Sequence, residues 1–269
     1  MALYYLWSAA AGIASGLLYL SPLTGNLGTV ILAYIAPLPL FLGGLGLGVP
    51  AAALAGAIGA VLTGITAGAQ IAGIYALSYA LPVLLVSRQA LLSRPTPDGG
   101  TEWYPLGHLA AWLAGLAIAY FALVTVIAGI AGNGLIAEIR DVIRTYGELL
   151  GEQGGGRLQA ELDPWITSLP AIVVGSWMLT LTINGALAQG LLARFGRNLR
   201  PLADIAFMVV PWQMLPLFAV SAVAALLLGG MPGLVAKTLA AIATVPYFLH
   251  GLGVVHRRVR EWLVRYLIL

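Results

Sequence analysis

Very few side chains in this sequence could do chemistry, and those that stand out are uncharged. Thr180, Thr182, Asn184 and Gln189 interrupt one apolar stretch, with Thr180 and Asn184 four residues apart on one helical face. The next apolar stretch contains Pro211-Trp212-Gln213-Met214-Leu215-Pro216. Two prolines so close together free backbone carbonyls inside it. A buried amide or carbonyl must find a partner in hydrocarbon. Asn184, Trp212, Gln213 and Thr180 therefore form the candidate substrate-binding set, around a pocket expected between the two stretches and open to the outer side. The competing reading is that these amides tie helices together, for roughly 0.6–2 kcal/mol each.

The charged candidates are weaker. Lys237 sits about one turn into an apolar stretch, where it either snorkels to the interface or meets an anionic group. Asp204 stands near Arg197 and Arg200 and either pairs with them or caps the helix after Pro201. His108, His250 and His256 have no HxxxH spacing and no neighbouring carboxylate, so no metal site is expected. No Asp or Glu lies at mid-membrane depth, which argues against a carboxylate proton relay. The sequence has no GxSxG, HExxH, GxxxxGK[ST] or DxD motif, so neither an enzyme nor a cofactor is expected.

The elements that must position these residues are membrane helices. Of 269 residues, 60% are hydrophobic and 9% charged, and mean hydropathy is +0.95. A soluble domain carries about 25% charged residues. The deficit excludes a soluble enzyme, a disordered segment and a disulfide scaffold. With no cysteine, thiol catalysis, cysteine-ligated zinc and iron–sulfur clusters are excluded too. The fold class expected is an all-α polytopic bundle forming one membrane domain over 1–269. A crossing needs about 20 apolar residues. Turn-forming residues divide the chain into spans at 3–20, 28–47, 50–67, 70–92, 107–131, 167–192, 204–228 and 233–255, about eight in all. The first breaks fall at Ser21-Pro22 with Gly25-Asn26, at Gly48-Val49-Pro50, and from Gly64 to Gly68. The first span has no basic residue before it, unlike a cleaved signal peptide. The closing EWLVRYLIL is either an interfacial helix or the start of a ninth span.

Arginine sets the orientation. Arg88, Arg94, Arg194, Arg197, Arg200, Arg257, Arg258, Arg260 and Arg265 all lie at the end of, or after, even-numbered spans. The positive-inside rule then puts the N-terminus in the cytoplasm and the 133–165 segment outside, as for a multi-pass protein of a cytoplasmic membrane. The net charge of +3 is that topology signal rather than a nucleic-acid footprint. In the external segment Leu135, Ile139, Val142, Tyr146 and Leu149 make an amphipathic stripe, with Asn133 as a possible cap. This helix either lies on the outer surface, acts as a lid hinged at Gly154 to Gly156, or receives a partner. In span one, Ser8, Gly12 and Gly16 form a small-residue strip, the candidate docking face for a partner subunit or a packing face within the bundle.

Four stretches carry a likeness to a known family: APLPLFLGGLGLGVPAAALAGAIGAV, ALPVLLVSRQAL, PWQMLP and GLGVVH. The chain resembles the YybS-like bacterial membrane proteins of unknown function, which continue past GLGVVH into a further apolar span. That family is similar to the substrate-binding S subunits of energy-coupling-factor transporters. The resemblance implies a helical membrane protein that docks through Ser8, Gly12 and Gly16 on a coupling membrane subunit driven by ATPases. The function expected is a transport or substrate-binding component for a small uncharged or apolar solute, energised by a partner. The alternative is a structural or assembly protein of a bacterial membrane complex.

Overall fold

The computed structural model describes residues 2–24, 27–130, 132, 134–149 and 156–268. It is an all-α polytopic membrane bundle. Among the described residues seven helical stretches are long and apolar enough to cross a bilayer: Ala2–Thr24, Gly28–Leu47, Val49–Ala67, Ala69–Ala90, Leu106–Ile130, Leu169–Arg194 and Gly230–Val259.

The first four crossings end where the sequence places its breakers. They comprise α1 (Ala2–Leu20), α2 (Leu27–Ile35), α3 (Pro37–Leu47), α4 (Val49–Ala67), α5 (Ala69–Tyr75) and α6 (Leu81–Ala90). Gly48 and Gly68 stop their helices at φ of 102° and 91°, a region costly for any residue with a Cβ. Pro37 and Pro39 lack the N–H groups that would carry α2 unbroken into α3. Between α5 and α6 the backbone widens into a π-turn at Ala76–Ala80. Pro82, which cannot donate to the carbonyl four residues before it, accounts for the widening.

The segment expected as the seventh span, 204–228, is not among these seven stretches. Instead of a helix over 204–228, the chain makes a 3-10 turn at Ile205–Phe207, a non-helical stretch, and then α11 over Met214–Leu227. Pro211 is the reason: it removes an N–H and steers the residue before it out of helical geometry. Pro216 falls in the first turn of α11, where its missing N–H costs nothing. The 14 residues of α11 rise about 21 Å, short of a hydrocarbon core about 30 Å thick.

The remaining elements are β1 (Ser93–Pro95), β2 (Thr101–Trp103), α7 (Leu106–Ile130), α8 (Gly134–Leu149), α9 (Gly156–Leu162), α10 (Leu169–Arg194) and α12 (Gly230–Ile268). The expected loop at 93–105 contains a small antiparallel hairpin, β1 with β2, clipped by an Arg94–Glu102 ion pair at 2.7 Å. The tail left open between two readings continues α12, a single helix of 39 residues with Pro246 inside it.

A single membrane domain was expected, and the backbone contacts gather into two units. One comprises residues up to Leu113, Leu179–Val210 and from Phe248 onward; the other comprises Ala114–Met178 and Pro211–Tyr247. In the first unit α1 seats on α4. A Cβ on Gly12 would stand 2.4 Å from the Ala55 carbonyl oxygen, and one on Gly16 would stand 3.3 Å from that of Gly59. Ser8, Gly12 and Gly16 are all buried, and Gly12 and Gly16 pack on the chain's own α4, the packing face within the bundle that was one of the two readings of the strip.

In the second unit Phe121 and Ala128 of α7, Leu135 of α8 and Leu234 of α12 form a buried cluster, with Ile139 packed against it. The buried stripe of α8 continues through Ile143, while Val142 is 52% exposed. Two adjacent apolar residues satisfy the helical period equally well, and the spacing of four wins over the expected three. The Tyr146 and Leu149 side chains, the Asn133 cap and Gly154–Gly155 of the expected hinge lie outside the described residues. Arg140 pairs with Asp163 at 3.0 Å, joining α8 to the turn after α9.

Candidate functional site

One concave site in the first unit combines an apolar wall with polar groups. It is a cavity of about 270 Å³ lined by Phe41 and Leu45 of α3, Val86 and Ala90 of α6, Leu106, Leu109 and Leu113 of α7, Leu181 and Gly185 of α10, and Leu249 of α12. The segment Arg200–Met208 closes one side. Among the described residues Thr182, Gln189 and Arg200 supply the polar lining. The walls come from the C-terminal ends of α3, α6 and α10 and the N-terminal end of α7. The ends of α6 and α10 carry Arg88 and Arg194, and Arg94 follows α6 in β1, so the cavity occupies the arginine-bearing end of the unit.

The closing segment is pinned at several points. Leu199 N–H donates to the Leu45 carbonyl at 3.2 Å. Asp204 accepts from Ala206 N–H at 2.8 Å and so caps the 3-10 turn, one of the two roles expected of it. His250 Nδ1 meets the Met208 carbonyl at 2.6 Å. Gly107 of α7 and Gly253 of α12 have no Cβ where Val209 and Ile205 carbonyl oxygens press closest. A side chain at either glycine would drive the segment off its seat.

Arg200 is the unusual member. Its residue is only 6% exposed. Its Nη1 donates to the Ala90 carbonyl at 3.1 Å. Its own carbonyl accepts from Gln189 Nε2 and from Asn198 Nδ2. No carboxylate pairs with its guanidinium among the described residues. Burial holds the guanidinium below the ordinary arginine value, because desolvation disfavours the charged form. Gln189 Oε1 is buried without a partner among the described residues.

The four residues expected to bind substrate fall two in each unit. Asn184 and Thr180 belong to the first unit and are buried at 4% and 8% exposure. Asn184 Nδ2 donates to two carbonyls, Thr180 O and Tyr34 O, both at 2.8 Å. Neither residue lines the cavity. Tyr34 sits just before the Pro37 kink, so this amide stitches a broken stretch of backbone. Neighbouring helices commonly satisfy such carbonyls in membranes. Trp212 and Gln213 belong to the second unit, where both are exposed, Trp212 at 75%. Lys237 donates to Thr167 Oγ1 at 2.9 Å.

Sequence reasoning named Thr182 and Gln189 among the polar residues of α10 but chose their neighbours. It read Arg200 as a topology charge. The available signal was local: Arg200 stands between Leu199 and Pro201, at the start of a run whose polar content falls away.

Residues 13–268 match the model of a family described as a predicted membrane protein, DUF2232. The chain belongs to this family. No curated protein and no solved structure matches it. In this member of the DUF2232 family the cavity at Arg200 is therefore judged on its own geometry: apolar walls, two polar side chains and one buried cation.

Proposed function

We propose that the protein is a membrane-embedded binding or transport component for a small, largely apolar solute. The observation that supports this is the cavity between α3, α6, α7 and α10, an apolar-walled space with a few convergent polar groups. Ligand sites commonly have that composition. With no nucleotide-binding motif in the sequence, energy for transport would come from partner ATPases. The positive-inside rule supports a cytoplasmic N-terminus and with it a cavity facing the inner leaflet, whereas the pocket expected from sequence opened to the outer side. That orientation has segment 204–228 crossing once, partly as non-helical backbone.

Occupancy is read with a photoactivatable diazirine analogue of octanol, mapped by mass spectrometry. Labelling should be saturable on Phe41, Leu113 and Leu181, and Ala186→Trp, which fills the cavity from an exposed position on α10, should remove most of it. Labelling of these residues that never saturates, or that survives A186W, would sink the binding reading.

Orientation has its own test in a chain without cysteine. Glu148→Cys should react with an impermeant maleimide on intact cells. Arg94→Cys should react only after permeabilisation. Reaction of both from one side ends the proposed topology.

A further inference from the structure

The buried arginine goes beyond an apolar solute and gives it a head. A cation withdrawn from water is costly unless it is paired. Arg200 spends one guanidinium nitrogen on the Ala90 carbonyl, a neutral acceptor, and has no carboxylate partner among the described residues. It lines the cavity together with the leucine and phenylalanine walls. Unpaired guanidinium N–H groups beside an apolar space match a carboxylate or phosphate oxygen carried on a hydrocarbon body. Gln189 Oε1, also unpartnered among the described residues, offers an acceptor to a hydroxyl or N–H on the same molecule. The volume of about 270 Å³ compares with about 30 Å³ per water in the liquid. It suits a chain of medium length.

We infer that the cavity binds an anionic amphiphile, its acidic oxygen on Arg200 and its apolar chain against α3, α7 and α10. This rests on the binding reading above and deepens it. The chemistry is shared by a soluble medium-chain acid and by the head of an anionic lipid, and the test separates the two.

The purified full chain in neutral detergent is labelled with matched diazirine analogues of octanoate and octanol, and sites are mapped by mass spectrometry. In parallel, native mass spectrometry reads retention of phosphatidylglycerol against phosphatidylcholine. Octanoate should occupy the cavity at roughly tenfold lower concentration than octanol, the usual scale of a charge-assisted hydrogen bond. Arg200→Gln should abolish that preference while leaving octanol labelling in place, which also shows that the variant is folded. Arg200→Lys should retain part of it. If Arg200→Gln does not fold, the preference in the native chain and its persistence in Arg200→Lys decide the matter.

Preference for octanoate alone assigns a soluble acid. Retention of phosphatidylglycerol alone, dependent on Arg200, assigns a lipid head. Equal occupancy by octanoate and octanol without selective phosphatidylglycerol retention overturns the inference, as does a preference that survives R200Q. Failure of both octyl probes to label the cavity instead overturns the binding reading itself.

Discussion

Gly12→Leu should leave the protein unable to reach its folded state in recoverable yield. A Cβ at position 12 would stand 2.4 Å from the Ala55 carbonyl oxygen and 2.9 Å from Ile58 Cβ. The first of these is backbone and cannot rotate aside, so α1 must lift from α4 along its length. Overpacking in a core typically costs ~1–3 kcal/mol when side chains can adjust; here they cannot, and the cost is expected to exceed that range. In a bilayer no hydrophobic gain from bulk water offsets the lost contact, because close helix approach is itself the source of association. Gly190→Leu is the matched control, since nothing lies within 4 Å of a Cβ there. The measurement is the monodisperse fraction in detergent, with thermal unfolding of whatever is recovered. A G12L protein that unfolds at the native temperature would mean that α1 does not sit on α4 in this way.

That contact also shows what a single sequence can and cannot say. The spacing of Ser8, Gly12 and Gly16 announces a smooth face, because small residues four apart share one side of a helix. It does not say which helix lies on that face, and the answer, α4, is set by tertiary packing. Helix breaks were more legible. Gly48 and Gly68 adopt positive φ, and Pro37 withdraws an N–H, so the residue type itself forces the interruption. The seventh expected span differs for the same physical reason: Pro211 does more than free a carbonyl inside a helix over 204–228, because the regular helix begins only beyond it, at Met214.

The site was the least legible part. Asn184 looks like a ligand contact in sequence, yet its amide nitrogen is spent on the Thr180 carbonyl of its own helix and on the Tyr34 carbonyl near a proline kink, 150 residues away along the chain, while its buried Oδ1 does not line the cavity. Gln189, one turn and a residue further along α10, faces the cavity instead. Both are amides in one apolar helix, and only the neighbours of each decide its role. Arg200 was hidden for a different reason. A basic residue in a loop ordinarily reports topology, and only its burial distinguishes it from Arg194 or Arg197.

Tyr75→Ala should be the most damaging truncation in the first unit, and Tyr75→Phe should be mild. Tyr75 is fully buried. Its ring meets Tyr19 edge-on at 5.1 Å between centroids, and Tyr19 meets Tyr79 at 5.4 Å. The hydroxyl donates to Ser15 Oγ at 2.8 Å, and Ser15 Oγ donates onward to the Ala36 carbonyl at 2.7 Å. The chain of bonds ties α5 to α1 and α1 to the junction of α2 and α3. Removing the ring leaves a void against Gly59, whose missing Cβ makes room for the phenol. Burial of an aromatic ring is typically worth 3–5 kcal/mol on truncation to alanine, and the lost contacts cannot be replaced by lipid in a closed core. Phenylalanine keeps the ring and loses one hydrogen bond, about 1 kcal/mol. Ser15 Oγ still has the Ala36 carbonyl to donate to, so no donor is orphaned. Unfolding of both variants in a denaturing detergent series, against the native chain, checks the contrast. Equal losses would place the value in the hydroxyl chain rather than the ring. No loss in either would mean that α5 and its π-turn are held by other contacts, such as Ala80 against Gly56 and Ala72 against Gly64.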